Sequence, residues 1–213
     1  MQIEQAGDGA DVLVALRGLD SSLKDERFKD PGYHVSGLLR DIQERSGKSK
    51  YNRGEGIDDT TRLRFEAGFS WEMALERAFA VLAVQKLGPE IIRPPSILMP
   101  VPGIPSPIVC SPDGLDEMEA VIHEIKLTWK SDSTGAEYVR GRWDWLHQIG
   151  AYLYAVGGTE AIVHVFHVNA DYKPPQPRVN RWRVIYQQAE IDETWGMLEG
   201  HAKRLASEGV DRI

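Results

Sequence analysis

A charged pair inside an apolar run is the feature that most constrains this chain. Residues 120–129 read AVIHEIKLTW, with Glu124 and Lys126 two positions apart among aliphatic residues. Because strand side chains alternate between faces, Glu124 and Lys126 should project from one face, and His123 and Ile125 from the other. Burying such charges is costly unless they are paired and hydrogen-bonded. The run therefore predicts either a functional site on a buried strand or an exposed edge strand with a surface ion pair.

Composition places the chain among ordinary globular proteins. It has 213 residues, of which 42% are hydrophobic and 27% are charged, which suits one sizeable domain. No apolar run is long enough to span a bilayer, and the first residues are acidic where a signal peptide would be basic. The single cysteine, Cys110, excludes an internal disulfide and any four-cysteine metal or iron–sulfur site. These features predict a cytoplasmic protein.

Periodicity predicts a mixed β-sheet flanked by helices. Helical spacing is found over 34–45, 65–88, 137–156 and 190–208. Strand patterns occupy 91–101, 107–112, 120–129, 161–170 and 179–187, with an Asp113-Gly114 turn between the second and third. Residues 1–33 have weak periodicity and are interpreted as a poorly defined arm. The segment RSGKSKYNRGEG reads as a flexible basic loop, for which a solvated, non-functional loop is the alternative.

Carboxylates near the charged pair indicate a metal site. Asp113 comes at the end of the neighbouring strand, where a hairpin can fold it beside Glu124. Two carboxylates at one point form an oxygen-rich site suited to Mg²⁺ or Mn²⁺. A lysine such as Lys126 can orient or help deprotonate an attacking water and can balance charge on a phosphate.

Two helices carry polar pairs that could join this site. Gln148 and Tyr152 are four residues apart and share one helix face, as do Glu72 and Glu76 further upstream. An ordinary helix surface is the alternative for both pairs. Gly68, four residues before Glu72, could let the backbone approach a ligand closely.

These segments together resemble the PD-(D/E)XK nuclease superfamily, and within it the phage lambda-exonuclease and RecB-like branch. The resemblance covers about Gly68 to Asn169 and matches in order and spacing. The matching motifs are Gly68-x-x-x-Glu72, Ser111-Pro112-Asp113-Gly114-Leu115, Glu124-Ile125-Lys126 and Gln148-x-x-x-Tyr152.

The resemblance implies a restriction-endonuclease-like fold and a role for each matching residue. Asp113, Glu124, the Ile125 backbone carbonyl and the upstream acid Glu72 would bind Mg²⁺, for which Mn²⁺ would substitute. Lys126 would activate or hold the water. Gln148 and Tyr152 would position the DNA backbone or the catalytic groups.

Several basic residues are candidates for DNA contacts. They lie in the basic loop and just after the charged strand: Lys48, Lys50, Arg53, Lys130, Arg140 and Arg142. The net charge of −7 argues mildly against non-specific coating of nucleic acid. Trp129, Trp143 and Trp145 could stack on unpaired bases, although core packing is the alternative.

The resulting prediction is a Mg²⁺-dependent DNA nuclease, formed by a single domain with its core at 65–190. A phage or prophage exonuclease acting on linear DNA ends in recombination or repair is favoured. The alternatives are a structure-selective or site-specific endonuclease, a DNA-binding module that does not cut, and a metal-dependent phosphatase acting on nucleotides. The resemblance also implies a single-strand annealing protein as partner and a ring-shaped homotrimer. Neither follows from residues 1–64.

Overall fold

The computed structural model describes residues 1–7, 30–47, 59–85, 88–133, 135–169 and 177–213. Its helices are α1 (Val35–Arg45), α2 (Asp59–Val84), α3 (Ala136–Arg140), α4 (Trp143–Val156) and α5 (Gln188–Ser207). Its strands are β1 (Gln2–Gly7), β2 (Tyr33–His34), β3 (Ile97–Met99), β4 (Ile108–Cys110), β5 (Gly114–Asp116), β6 (Val121–Thr128), β7 (Glu160–His167) and β8 (Arg178–Ile185).

Five of these strands form the central sheet in the order β1-β8-β7-β6-β5. β6 and β7 are parallel, and the other neighbours are antiparallel. The parallel pair needs a crossover, which α3 and α4 supply. The sheet is therefore mixed, as predicted.

Helices cover both faces of the central sheet. On one face, Ile122 of β6 and Val163 of β7 belong to a large apolar core shared with α4 and α5. On the other face, Ile125 of β6 packs in a smaller cluster against Leu75 and Phe79 of α2. This alternation follows from the period of two along β6, and it turns Glu124 and Lys126 toward α4.

A second, smaller sheet stands beside the edge strand β5. Its order is β2-β4-β3, with β2 parallel and β3 antiparallel to β4. The chain leading into it passes β5 and forms an antiparallel bridge there, between Ile92 and Leu115. This bridge fixes the backbone on either side of it next to β5.

The structure corrects three sequence-based predictions. Asp113 and Gly114 do not form the hairpin turn, because Gly114 already pairs with His123 in the β5–β6 ladder, and the turn lies at 117–120. The predicted helix 137–156 is broken at 141–142, where Gly141 ends α3. The supposed arm at 1–33 begins with β1, an edge strand paired with β8.

The other predicted elements are present with shifted ends. The helix predicted at 65–88 runs over 59–84, and the one at 190–208 runs over 188–207. The strands predicted at 161–170 and 179–187 are β7 and β8. Across the described ranges, no helix is both long and apolar enough to cross a bilayer.

Candidate active site

The charged pair of β6 is buried and paired. Glu124 is 1% exposed, and Lys126 Nζ donates a hydrogen bond of 2.5 Å to its Oε1. Both side chains leave the strand on the face that α4 covers, as the alternation predicts. The exposed edge strand is excluded, because β6 has β5 on one side and β7 on the other.

Helix α4 extends this pair into a chain of hydrogen bonds. Lys126 Nζ also donates to Gln148 Oε1, at 3.0 Å. Gln148 Nε2 in turn donates to the hydroxyl oxygen of Tyr152, at 2.8 Å, one helical turn further on. Since the two ends of the Gln148 amide are both engaged, its orientation is fixed and the lysine is held between an acid and an amide oxygen.

Asp113 reaches the same strand through the backbone. Its Oδ2 accepts a 2.8 Å hydrogen bond from the Ile125 N–H. The following residue must be glycine, because a Cβ on Gly114 would lie 2.8 Å from Ile91 Cγ2 and 3.1 Å from His123 Cβ. The sequence thus brings Asp113 close to β6 by packing β5 tightly between two neighbours.

Glu72 approaches from α2 and is held by an arginine. Arg93 Nη2 lies 3.4 Å from Glu72 Oε1, while Arg93 Nη1 lies 2.7 Å from Glu76 Oε1. Glu72 is buried, and Arg93 is more exposed. The two glutamates share one helix face, as their spacing predicts, and a single guanidinium bridges them.

Electrostatics show that the carboxylates repel one another. Burial raises the pKa of Asp113 well above its usual value, and the charges of Glu124 and Glu72 raise it further. Burial also raises the pKa of Glu124, against the opposing effect of Lys126, and Glu72 adds to the rise. The three acids are therefore close enough to interact, and Lys126 balances their negative charge only in part.

The pKa values of the neighbouring lysine and tyrosine show the same excess of negative charge. Burial lowers the pKa of Lys126, but the charges of Glu124 and Asp113 outweigh it and the net pKa is raised. Lys126 therefore carries its proton at neutral pH. Burial raises the pKa of Tyr152 well above its usual value, and Glu124 adds to this, so its phenol is neutral.

One buried oxygen fits a divalent cation. Among the described segments of the chain, Glu124 Oε2 finds no hydrogen-bond partner, although its other oxygen is bonded to Lys126. An unsatisfied buried carboxylate oxygen is costly, and it is the hard ligand type that Mg²⁺ and Mn²⁺ prefer. Within the described ranges, no three His, Cys, Asp or Glu side chains are already grouped around a common point for a metal. The carboxylates of Asp113 and Glu124, the latter through its unbonded Oε2, fit the cation. Glu72 is held by Arg93 instead.

An arginine and two aromatic rings flank the lysine. Arg142 donates to both carboxylate oxygens of Asp144, at 3.1 and 2.8 Å. Its guanidinium lies 4.1 Å from the ring centre of Trp145, and Lys126 Nζ lies 5.9 Å from the same ring. Tyr138 accepts a third hydrogen bond from Arg142. Arg142 is thus half-buried and fixed in orientation against the same ring that Lys126 approaches.

The remaining predicted DNA contacts are less defined. Lys48, Lys50 and Arg53 fall outside the described residues. Lys130 is exposed just after β6, and the exposed Arg140 is ion-paired with Glu137. Among the residues that the structure describes, the side chains of Lys130 and Arg140 make no ion pair with a site carboxylate.

Three tryptophans and one glycine singled out in the sequence also lie in the part of the chain that the structure describes. Trp129 and Trp143 are partly exposed, whereas Trp145 is buried. Open space surrounds Gly68, with nothing within 4 Å of the position that a Cβ would take there.

Histidines on β6 and β7 lie on the other face of the sheet. His123 Nδ1 and His164 Nε2 are 3.0 Å apart, both residues are buried, and Phe79 of α2 packs against both. His123 is thus an interior histidine, as its strand position indicates. His167, three residues after His164, bonds instead to the Lys130 carbonyl oxygen.

Sequence reasoning missed Arg93, Asp144 and Tyr138. Arg93 stands alone between Ile91-Ile92 and Pro94-Pro95, and a single charge in such an apolar, proline-bounded stretch is the signal that could have found it. Asp144 and Tyr138 become significant only through their contacts with Arg142, and their spacing from it carries no comparable signal.

Comparison with solved structures identifies the fold. No family model and no curated protein sequence matches the chain. An alkaline exonuclease from Laribacter hongkongensis matches with a TM-score of 0.51 and 15% identity, over 83% of this chain and 89% of that one. The chain has a restriction-endonuclease-like fold. The predicted resemblance to PD-(D/E)XK nucleases is thereby confirmed at the level of the fold.

Two further structures are similar over comparable lengths. The complex of the Laribacter exonuclease with dAMP has a TM-score of 0.48 and 14% identity, over 83% of this chain and 89% of that one. A phage-related exonuclease from Haemophilus somnus 129PT has a TM-score of 0.41 and 13% identity, over 83% and 96%.

Proposed function

We propose that this chain is a metal-dependent nuclease that hydrolyses DNA phosphodiester bonds. The observation that carries the proposal is the half-satisfied Glu124 carboxylate, with Oε1 on Lys126 and Oε2 buried without a partner. Asp113 accepts a hydrogen bond from the N–H of Ile125, the residue after Glu124 on β6, and so supplies a second carboxylate beside Glu124. The two carboxylates can hold a divalent cation, and the protonated lysine beside them can stabilise negative charge on a phosphate; both serve phosphodiester hydrolysis.

The residues of this chain would divide the work between holding the cation and handling the water. Asp113, Glu124 and the Ile125 carbonyl would hold Mg²⁺ or Mn²⁺. When bound, that cation would polarise a phosphate oxygen and lower the pKa of a bound water. Lys126, protonated because of its acidic neighbours, has one N–H beyond those that it donates to Glu124 and Gln148, and would donate it to the attacking water or to the phosphate.

The reaction balances as a simple hydrolysis. The water oxygen forms a bond to phosphorus while the bond from phosphorus to one deoxyribose oxygen breaks. The electron pair of that bond leaves with the deoxyribose oxygen, which takes up the proton that the attacking water releases and becomes a hydroxyl, and the phosphate remains on the other fragment. Gln148 would keep Lys126 aimed at the attacking side, because its amide is fixed at both ends.

A polymer substrate is favoured by the surroundings of the lysine. Asp144 and Trp145 hold Arg142 at the same ring that Lys126 approaches, and from there it could bind a phosphate adjoining the one attacked. A nucleotide phosphatase would need no such second contact. Action on linear DNA ends is the first choice within this chemistry, because exonucleases share the fold.

Digestion of two DNA forms tests the proposal. End-labelled linear duplex and closed circular plasmid are incubated with Mg²⁺, with Mn²⁺ and with chelator. We expect metal-dependent loss of the linear DNA alone, abolished by Lys126→Ala and by Glu124→Gln. Nicked circles would instead establish an endonuclease. DNA binding without cleavage of either form would overturn the catalytic assignment.

The assembly and partner expected from the family resemblance complete the proposal. We propose a ring-shaped homotrimer that acts with a single-strand annealing protein in recombination. Light scattering measures the mass of the assembly, and a monomer at micromolar concentration contradicts the ring.

A further inference from the structure

A guanidinium occupies the acidic helix face that the proposed metal site needs. Arg93 lies between Glu72 and Glu76, closer to Glu76 (2.7 Å) than to Glu72 (3.4 Å). Glu72 is the acid whose charge acts on both Asp113 and Glu124. Arg93 is therefore attached to the side of the site that faces α2.

The backbone prevents Arg93 from moving away as a surface loop would. Ile92 N donates to the Leu115 carbonyl at 3.0 Å, and Leu115 N donates back at 2.8 Å. Ile91 packs on Gly114, and prolines at 94 and 95 restrict the chain that follows. Arg93 is thus anchored to the strand that begins directly after Asp113.

We propose that Arg93 is a built-in counter-cation for Glu72, which a divalent cation must displace before Glu72 can bind that cation. This inference rests on the proposed function, since it assumes that the cation binds at Asp113 and Glu124. A guanidinium so near a ligand oxygen repels an incoming cation and occupies part of its coordination space. Glu76 limits this competition, because it holds the guanidinium at the shorter distance.

Substitution of Arg93 and substitution of Glu76 should have opposite effects on metal affinity. Arg93→Gln removes the competing charge from Glu72, so we expect Mn²⁺ to bind at least about tenfold more tightly. Glu76→Gln removes the closer carboxylate, so the guanidinium should turn fully to Glu72 and Mn²⁺ should bind more weakly. A general loss of structure would weaken binding in both variants, and so it cannot produce this pair of results.

The chain offers a matched control in Arg183. Its guanidinium also lies between two carboxylates, bonded to Glu160 at 2.6 and 2.5 Å and to Glu4 at 3.3 Å. Glu160 lies at the start of β7, and Glu4 lies on the edge strand β1. Arg183→Gln changes the net charge as Arg93→Gln does, and it should leave Mn²⁺ affinity unchanged.

The experiment is calorimetric titration of the metal-free protein with Mn²⁺ alone, without DNA. Wild type, Arg93→Gln, Glu76→Gln, Arg183→Gln and Glu124→Gln are compared, with circular dichroism to establish folding. If Arg93→Gln does not fold, Glu76→Gln carries the test, and unchanged or tighter binding in Glu76→Gln then overturns the inference.

The outcomes separate this inference from the proposed function. Binding that Glu124→Gln weakens but Arg93→Gln leaves unchanged or weakens would overturn the counter-cation alone. Binding that Glu124→Gln leaves unchanged would overturn the proposed metal site, and the counter-cation with it. Absence of Mn²⁺ binding in the wild type would do the same.

Discussion

The backbone N–H of Ile125 donates a 2.8 Å hydrogen bond to Asp113 Oδ2, which ties the acid directly before β5 to the centre of β6. This contact decides where Asp113 points, because the bond uses one carboxylate oxygen. The donor residue, Ile125, stands between Glu124 and Lys126 in the sequence. The antiparallel pairing of β5 with β6 thus brings Asp113, directly before β5, close to Glu124 and Lys126 of β6.

Asp113→Asn should separate folding from chemistry. The amide oxygen can still accept from Ile125 N–H, and a neutral side chain avoids the burial of charge and the repulsion by Glu124 and Glu72 that raise the Asp113 pKa. We expect a melting temperature in chelator equal to or above that of the wild type, with cleavage reduced at least about 100-fold. Calorimetry and the linear-duplex assay measure the two effects. A folded Asp113→Asn variant that cuts at the wild-type rate would contradict the role of Asp113.

Gln148→Ala should slow cleavage more than Tyr152→Phe. Gln148 accepts from a charged ammonium, whereas Tyr152 accepts from a neutral amide. Losing a hydrogen bond to a charged group costs about 1.5–3 kcal/mol, which corresponds to a rate reduced by roughly 10- to 100-fold, and a neutral bond costs less. The difference should fall on kcat rather than on KM for DNA, since neither residue needs to touch the polymer. Equal losses in the two variants would contradict the chain of hydrogen bonds.

Acid should destabilise the protein through the buried histidine pair. Burial lowers the pKa of His123 from 6.5 to about 4, and burial and the nearby His123 lower the pKa of His164 well below its usual value. Asp116 opposes the shift at His123, and Arg181 adds to it at both residues. Because the folded-state pKa values are depressed, their stabilisation is complete above pH 6.5 and is lost as the pH falls toward 4. For His123 it is on the order of 3 kcal/mol.

A double variant isolates this effect. His123→Leu with His164→Leu keeps the apolar contact with Phe79 and removes both titrations. Denaturant unfolding between pH 7 and pH 4.5 should show a shallower loss of stability in the variant. His34→Gln, in the smaller sheet, serves as the control. A double variant with the wild-type slope would show that other groups govern acid unfolding.

Ala120→Gly and Gly158→Ala should change the free energy of unfolding in opposite directions. Ala120 has a φ of 52°, in the left-handed region, so Ala120→Gly should relieve strain and stabilise the fold by up to about 1 kcal/mol. A Cβ on Gly158 would overlap the Ala120 carbonyl oxygen, so Gly158→Ala should destabilise by about 1–3 kcal/mol or more. Chemical denaturation measures both. A stable Gly158→Ala variant would show that the turn at 117–120 moves freely.

Sequence reasoning predicted those parts of the site that depend on local spacing. The period of two along β6 correctly placed Glu124 and Lys126 on one face, and the period of 3.6 placed Gln148 and Tyr152 on one face of α4. The spacing of Glu72 and Glu76 likewise placed both on one face of α2, where Arg93 contacts both. These relations are set within one element, so they need no knowledge of tertiary contacts.

Relations between elements were predicted less well. Asp113-Gly114 resembles a turn by its residue types, but the packing of Ile91 and His123 on Gly114 places it in a ladder instead. β1 carries too little alternation to reveal that it pairs with β8, far away in sequence. Arg93 was missed for a similar reason, since its partners are 17 and 21 residues upstream on a helix.

The crossover between β6 and β7 has a consequence for when the site exists. The β5–β6 hairpin can form early, because its strands are adjacent in sequence, and it already contains the bond from Ile125 to Asp113. Gln148 and Tyr152 arrive only when α4 docks on one face, and Glu72 only when α2 docks on the other. A nascent chain that has made the hairpin alone therefore presents two acids and a lysine without the partners that orient them. The proposed metal-dependent chemistry would in that sense be a property of the finished molecule, and it would report complete folding more strictly than the formation of any single strand or helix.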